Sequence, residues 1–226
     1  MVNRTTTVLC PNCQAENDFD PVTLIHEGSE DLARLIDGSL NTTRCTICNT
    51  QYLFETPILY RDGANRYLVY FIPRSITDKL NEALEQMDEL YKRIFDDFDE
   101  DERPVCRLAT RRSSFIEKIA LSREGFDDRI IEYVKYQLYQ NSEGLDAIRH
   151  ELLYNFGNSS DTEISFLAFD RDTGRAVYSL AFPRVDYDQL NTYFLATEKM
   201  RDELKRMFHT YHVQVDELLE SGYFIG

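Results

Sequence analysis

The spacing of apolar residues changes period repeatedly along the chain, and each change predicts an element. Val8-Leu9 leads into a Cys-x-x-Cys turn, and Asp18 to Ile25 alternates weakly as a returning strand. Ser29 is placed to cap a short helix with Leu32, Leu35 and Ile36 on its apolar face and Gly38 at its end. Gln51 to Tyr60 and Arg66 to Ile72 read as strands of a hairpin around the Asp62-Gly63 turn, and Pro73 closes it. A helix starts near Thr77, with Ile76, Leu80, Leu84, Met87, Tyr91, Ile94 and Phe95 three or four apart. Val105 to Leu108 is strand-like, and Ser113 to Ser122 is helical. Phe126 to Tyr139 is a stronger helix, with Phe126, Ile130, Ile131, Val134 and Leu138 on one face. Strands return at Glu151 to Phe156, Glu163 to Phe169 and Ala176 to Phe182, the last two joined by the turn Asp170-Arg171-Asp172-Thr173-Gly174. From Tyr187 to about Leu219 runs a long stripe that includes Leu190, Phe194, Met200, Leu204, Met207, Phe208, Val215 and Leu218. It predicts a C-terminal helix, long enough that an interrupted form is one reading, that either packs on the sheet or, because one small domain covers only so long a stripe, serves a homodimer.

Composition narrows the function classes. The 226 residues are 42% hydrophobic, enough to bury a core. The formal charge is 25 − 40 = −15, which argues against non-specific nucleic-acid binding and against anionic membrane surfaces. No run approaches the roughly 18 apolar residues of a membrane span, and Met1 to Thr7 lacks the apolar run of a signal peptide, so a cytoplasmic location is expected. Between Asp96 and Glu102 six of seven residues are acidic, a solvated linker. Asp97, Asp99 and Asp101 imitate the opening of a calcium loop, but Glu102 stands where that loop needs Gly and Leu108 where it needs a bidentate Glu. The one basic cluster, Arg103, Arg107, Arg111, Arg112, Lys118 and Arg123, either neutralises that acidic run or binds an anion or RNA.

The cysteines carry the strongest chemical signal. Cys10-Pro11-Asn12-Cys13 and Cys45-Thr46-Ile47-Cys48 are two knuckles separated by 31 residues, and a two-residue spacer lets both sulfurs of a knuckle face one point. Four thiolates suit a tetrahedral structural Zn²⁺ with no open position for catalysis; iron is the alternative ion. The gap exceeds the usual ~15–20 residues, and the helix after Ser29 accounts for the excess. Two disulfides or a redox pair are rival readings, disfavoured in a cytosolic chain with two such pairs. Cys106, the fifth cysteine, reads as a small buried hydrophobe rather than a reactive thiolate. His209 and His212 share a face if helical, without the Glu of a zinc-protease motif. No nucleophile elbow, phosphate loop or dinucleotide fingerprint occurs among only nine glycines.

Shifting the chain by 110 residues sets Arg61-Asp62 on Arg171-Asp172, Pro73-Arg74 on Pro183-Arg184, and Asp78, Leu80 and Asn81 on Asp188, Leu190 and Asn191. That makes seven identities in the 21 positions 61 to 81. Cys45 and Cys48 then fall on Asn155 and Asn158, a turn that needs no metal. Arg74 and Arg184 are expected to cap or pair locally.

Val8-Leu9-Cys10-Pro11-Asn12-Cys13, Ile36-Asp37-Gly38-Ser39-Leu40-Asn41 ahead of Cys45-Thr46-Ile47-Cys48, Pro57-Ile58-Leu59-Tyr60-Arg61-Asp62, Phe71-Ile72-Pro73 and Gly125-Phe126-Asp127-Asp128-Arg129-Ile130-Ile131-Glu132 follow in order. Together they resemble the CpXC domain over about residues 8 to 140. The second knuckle lacks the proline of the family name but keeps both thiols. The resemblance implies a zinc-ribbon-bearing domain and no particular activity.

The expected fold is α+β: a zinc ribbon (about residues 1–74) continuing into a small antiparallel sheet with packed helices, within a CpXC-like domain over 1–141, then a metal-free hairpin-helix half over 142–226. The expected function is a zinc protein with a structural four-cysteine site, Cys10, Cys13, Cys45 and Cys48 being the ligands. It acts as a protein-interaction or regulatory module and leans away from being an enzyme. The alternatives are a nucleic-acid-associated zinc ribbon in transcription or RNA metabolism, and an enzyme with a site between the halves.

Overall fold

Short β-strands with tight turns dominate the first third of the chain, because its apolar residues come in ones and twos rather than in helical stripes. The computed structural model describes residues 5–76, 79–99 and 102–221; the helix start expected near Thr77, the matched Asp78, and Asp101 of the calcium-like run lie outside them. The chain divides into two compact units, Met1–Ile116 and Glu117–Gly226.

In the first unit, β1 (Thr6–Leu9) and β2 (Glu16–Phe19) form an antiparallel hairpin with Leu9 opposite Glu16. β3 (Leu24–His26) follows, so the single returning strand expected over Asp18 to Ile25 is two. α1 (Glu30–Ile36) forms as its sequence dictates. Ser29 Oγ accepts from Leu32 N–H at 3.3 Å, Glu30 and Asp31 sit in the first turn, and Gly38 adopts φ +81° beyond the end. Leu32 and Leu35 are buried. β4 (Thr42–Arg44) and β5 (Gln51–Leu53) make a second antiparallel hairpin, Arg44 opposite Gln51. The strand expected from Gln51 to Tyr60 is interrupted before Pro57, and β6 (Ile58–Asp62) begins after it. β6 and β7 (Tyr67–Phe71) form the expected hairpin, with Asp62 accepting from Ala64 and Asn65 N–H in the turn. α2 (Leu80–Phe95) then crosses to β8 (Val105–Ala109).

The sheet so formed has strand order β3-β6-β7-β8. It corrects the expectation of an antiparallel sheet: β6·β7 is antiparallel, but β3·β6 and β7·β8 are parallel. A tight turn permits only the antiparallel pair, whereas long crossovers through α1 and through α2 bring in the outer strands parallel. One sheet face presents Ile58, Tyr60, Val69 and Phe71 to a core in which Phe115 stacks on Phe71 at 5.4 Å. Each such buried side chain contributes about 1.5–3 kcal/mol.

The division between units falls within α3 (Arg112–Arg123). In the second unit, α4 (Asp128–Asn141) is followed by β9 (His150–Tyr154), β10 (Glu163–Asp170) and β11 (Ala176–Pro183), an antiparallel sheet of order β11-β10-β9. Ile130, Ile131 and Val134 of α4 share one core with Leu152, Ile164, Phe166 and Ala168 of that sheet. The helix that reads from sequence as the close of the first half thus packs in the second unit.

The C-terminal stripe is interrupted. The stripe is three helices, α5 (Arg184–Leu195), α6 (Glu198–Met207) and α7 (Val215–Ser221). Thr197 breaks it by capping α6, its Oγ1 accepting from Met200 N–H at 3.2 Å. Phe194, Leu204, Met207, Phe208, Val215 and Leu218 are buried in the unit's own core, so the length that suggested a homodimer helix is accounted for internally. The two units share a hairpin followed by helix, but their sheet orders differ.

Candidate metal centre

The two cysteine knuckles are built identically. In the first, Gln14 N–H donates to Cys10 O at 2.9 Å and Cys10 N–H to Ala15 O at 2.9 Å; in the second, Asn49 N–H donates to Cys45 O at 3.0 Å and Cys45 N–H to Thr50 O at 2.9 Å. Each needs a left-handed residue directly after its second cysteine, Gln14 at φ 60° and Asn49 at φ 62°. Hairpin β1–β2 carries the first knuckle and hairpin β4–β5 the second.

The sulfurs of the two knuckles meet. All four lie within 4.8 Å of one another, and Cys10–Cys48 and Cys13–Cys45 approach to 3.6 Å. A disulfide requires about 2.05 Å, so these are four free thiols around one point and could hold a single ion. The cluster has a supporting layer that sequence reasoning missed. Asn17 on β2 is buried; its Oδ1 accepts from Thr46 N–H at 2.9 Å and Thr46 Oγ1 at 3.0 Å, and its Nδ2 donates to Ala15 O and sits 3.7 Å from Cys45 Sγ. One side chain thereby ties the second knuckle to the first. Asn12 Nδ2 donates to Thr50 Oγ1 at 3.3 Å across the same gap. An Asn-Asp pair after a knuckle is an ordinary turn signal, and nothing in its spacing reveals this role.

The electrostatics of the thiols are uneven. The Thr50 hydroxyl and backbone N–H, with the Asn12 amide, push the Cys48 thiol down to about 5. Cys45 is lowered by the Cys48 backbone N–H, against its burial. Cys13 has the Ala15 N–H pulling it down, but Cys48, desolvation and Cys45 outweigh that and push it up to about 12. Thiolates crowded this closely oppose one another's ionisation, and a dication relieves that opposition.

The remaining candidates do not form a site. Cys106 is buried on β8, its thiol pushed up to about 12 by desolvation, the state of an inert hydrophobe. The basic cluster disperses. Arg103 donates to Phe98 O and Asp96 O at the end of α2, Arg112 donates to Leu40 O at 3.1 Å, and Lys118 is wholly buried. His209 and His212 lie in the non-helical stretch between α6 and α7 rather than on one helix face, and His212 Nδ1 is 3.6 Å from Glu217 Oε1. Arg184 pairs locally, as expected: its guanidinium lies 4.3 Å over the Phe126 ring and 3.8 Å from Asp188. The Asn155–Asn158 turn closes without cysteines, with Asn158 and Ser159 N–H both donating to Asn155 O at 3.1 Å.

A second polar centre was not expected. Glu117 and Lys118 of α3 meet Asp128, Glu132 and Lys135 of α4, all at most 3% exposed. Lys135 Nζ lies 2.7 Å from Glu117 Oε1 and 3.0 Å from Glu132 Oε1, and Lys118 Nζ lies 3.0 Å from Asp128 Oδ2 and 3.2 Å from Glu132 Oε1. The carboxylates also cap backbone: Tyr154 N–H donates to Glu117 at 2.6 Å and Val215 N–H to Glu132 at 2.9 Å. Among the described residues, Glu117 Oε2 is buried without a hydrogen-bond partner. Burial holds Glu117 above the ordinary carboxyl value, whereas for Glu132 burial is outweighed by Lys135 and Lys118, which hold it below.

Among the described residues no helix is long and apolar enough to cross a membrane. The CpXC protein family matches the chain over residues 8–135, a span holding both knuckles and most of α4. No curated protein and no solved structure shows a significant match.

Proposed function

The chain belongs to the CpXC family, and we propose that it is a structural zinc protein, with Cys10, Cys13, Cys45 and Cys48 as the four ligands, that acts as a protein-interaction module. The observation that carries the metal reading is the sulfur tetrad. Zn–S bonds of about 2.3 Å at tetrahedral angles give S···S edges of about 3.8 Å, close to the 3.6 Å cross-knuckle pairs. An all-sulfur donor set favours zinc over hard cations, and four protein ligands leave no coordination position for a substrate. Bound Zn²⁺ would offset half the charge of four thiolates and fasten hairpin β1–β2 to hairpin β4–β5. Elemental analysis of untagged protein should give one zinc per chain. Metal-free protein with four reactive thiols would instead point to redox chemistry at the two pairs.

The interaction reading rests on β11. It is an edge strand of eight residues, Ala176 to Pro183, with no charged side chain and no fully buried residue; Val177 and Tyr178 are each 46% exposed. A long uncharged edge is a template for strand addition unless something blocks it, and the chain otherwise carries 29% charged residues. A second copy pairing edge to edge meets the need for an uncharged partner. Light scattering should give a dimer mass that Val177→Lys reduces to a monomer. A monomer at all accessible concentrations would sink self-association.

A further inference from the structure

The face of the four-stranded sheet opposite the core is not filled. Strand alternation sends Leu59 and Arg61 of β6, Leu68 and Tyr70 of β7 and Cys106 of β8 to that side, in register: Arg61 opposite Leu68 and Leu68 opposite Cys106. α2 crosses over this face with Met87, Leu90, Tyr91, Ile94 and Phe95 turned toward it. Yet only Ala83 and Met87 of that helix are buried, and Leu90 and Ile94 remain 40% and 54% exposed. Between helix and sheet lies a cavity of about 570 Å³. The cleft is open to solvent on one side, and its volume falls in the ~300–1,000 Å³ range of small-molecule sites.

The polar groups of the lining identify the ligand's other end. Arg61 and Arg66 are exposed along the cavity's open side. Among the described residues the Arg61 side chain has no hydrogen bond or ion pair. By contrast, Arg171, which the 110-residue shift places on Arg61, donates to Ala147 O and His150 O and pairs with Asp216. Arg66 holds its side chain there from a left-handed backbone, φ 50°, a conformation that favours Gly or Asn. The acids of the lining are Asp62, buried and accepting from Ala64 and Asn65 in the turn, and exposed Glu102. In a chain of charge −15, the two arginines balance the two acids of this lining, and Asp62 is already engaged by its own turn.

We propose that this cavity binds a small amphiphilic anion, a flexible hydrocarbon chain ending in a carboxylate, with the chain between α2 and the sheet and the carboxylate on Arg61. Arg61 anchors the head by a charge-assisted contact. Leu59, Leu68, Leu90, Ile94 and Phe95 line the tail. The site is independent of the metal centre.

The test is a fluorescence titration of the full chain with 11-(dansylamino)undecanoate and with its uncharged methyl ester, both below micellar concentration. The wild type should bind one equivalent of the acid saturably. Arg61→Gln should weaken the acid about tenfold and leave the ester unchanged, and Leu90→Asp, at an exposed position, should abolish binding of both. Absence of saturable binding by the wild type overturns the site. An Arg61→Gln variant that weakens acid and ester equally, or neither, overturns the carboxylate anchor and with it the proposal, as does binding that survives Leu90→Asp.

Discussion

The cysteine tetrad of the first unit and the carboxylate–lysine cluster of the second both place charge where a core would otherwise be apolar, but they balance it differently. The tetrad brings together four groups of one sign and holds them with amides and hydroxyls from Asn17, Asn12 and Thr50. It contains no counter-charge of its own among these residues and could hold a cation from outside. The second cluster supplies its own counter-charges, Lys118 and Lys135 against Asp128, Glu132 and Glu117, and caps the backbone of Tyr154 and Val215 besides. Stability of the first centre is therefore open to control by solution conditions, through metal and thiol chemistry. That of the second depends on packing and pH.

If the proposed zinc is bound, the largest effect should come from removing it. Structural zinc contributes on the order of 10 kcal/mol in small thiolate sites, and the hairpins it joins are too short to hold themselves: β1, β2, β4 and β5 have three or four residues each. Chelation, or Cys13→Ser, should abolish amide-exchange protection in both hairpins. Protection that persists in metal-free protein would show the tetrad to be dispensable. Cys106→Ala should leave metal content untouched.

In the second unit, Glu132→Gln should cost about 3–5 kcal/mol, the cost of breaking a buried pair, because both lysines lose their shared partner. Glu117→Gln should cost clearly less, since burial already disfavours the charged form of Glu117 relative to that of Glu132. Urea unfolding of the two variants gives the ranking, and the reverse order would contradict the assigned charge states.

How much of this was legible in the sequence follows from how local each feature is. The knuckles were legible because Cys-x-x-Cys geometry is set within four residues. The α1 cap and the β6–β7 hairpin were legible for the same reason. The tetrad's support was not: Asn17 acts on Thr46, 29 residues away. The buried cluster is invisible in the sequence, where Lys118 falls within a run of basic residues that reads as one surface patch. Charges three and four apart on a helix normally describe a solvated face, and only the packing of α3 on α4 turns this one inward. The C-terminal stripe misleads differently. Its period survives across Ala196-Thr197, and the break is signalled only by Thr197 followed by Glu198, an N-cap and first-turn acid that a continuous stripe obscures.

The pH profile sharpens the contrast between the two carboxylates. Glu132 is held below its ordinary value of 4.5, so the stability it contributes is present above that pH and lost as pH falls through its folded-state value. Glu117 is held above 4.5. The folded state binds its proton more tightly than the unfolded chain does, so stability declines as pH rises from 4.5 through its folded-state value. Glu117→Gln removes that decline. The urea midpoint of the variant relative to wild type should therefore rise with pH above 4.5, and a flat difference would place the proton elsewhere in the cluster.

The smallest effect separates local from metal-dependent order in the first unit. Ser29 caps α1 through one hydrogen bond, Leu32 N–H to Ser29 Oγ, and Ser29→Ala should cost about 1 kcal/mol. Leu32 and Leu35 are buried in the unit's core, while α1 occupies the long gap between the knuckles. If that helix is a plain insertion, the lost cap should lower the unfolding midpoint of metal-loaded protein and leave zinc affinity unchanged in a chelator competition. If Ser29→Ala weakens zinc binding severalfold, α1 sets the distance between the two knuckles, and the unusual length of the gap is part of the metal centre.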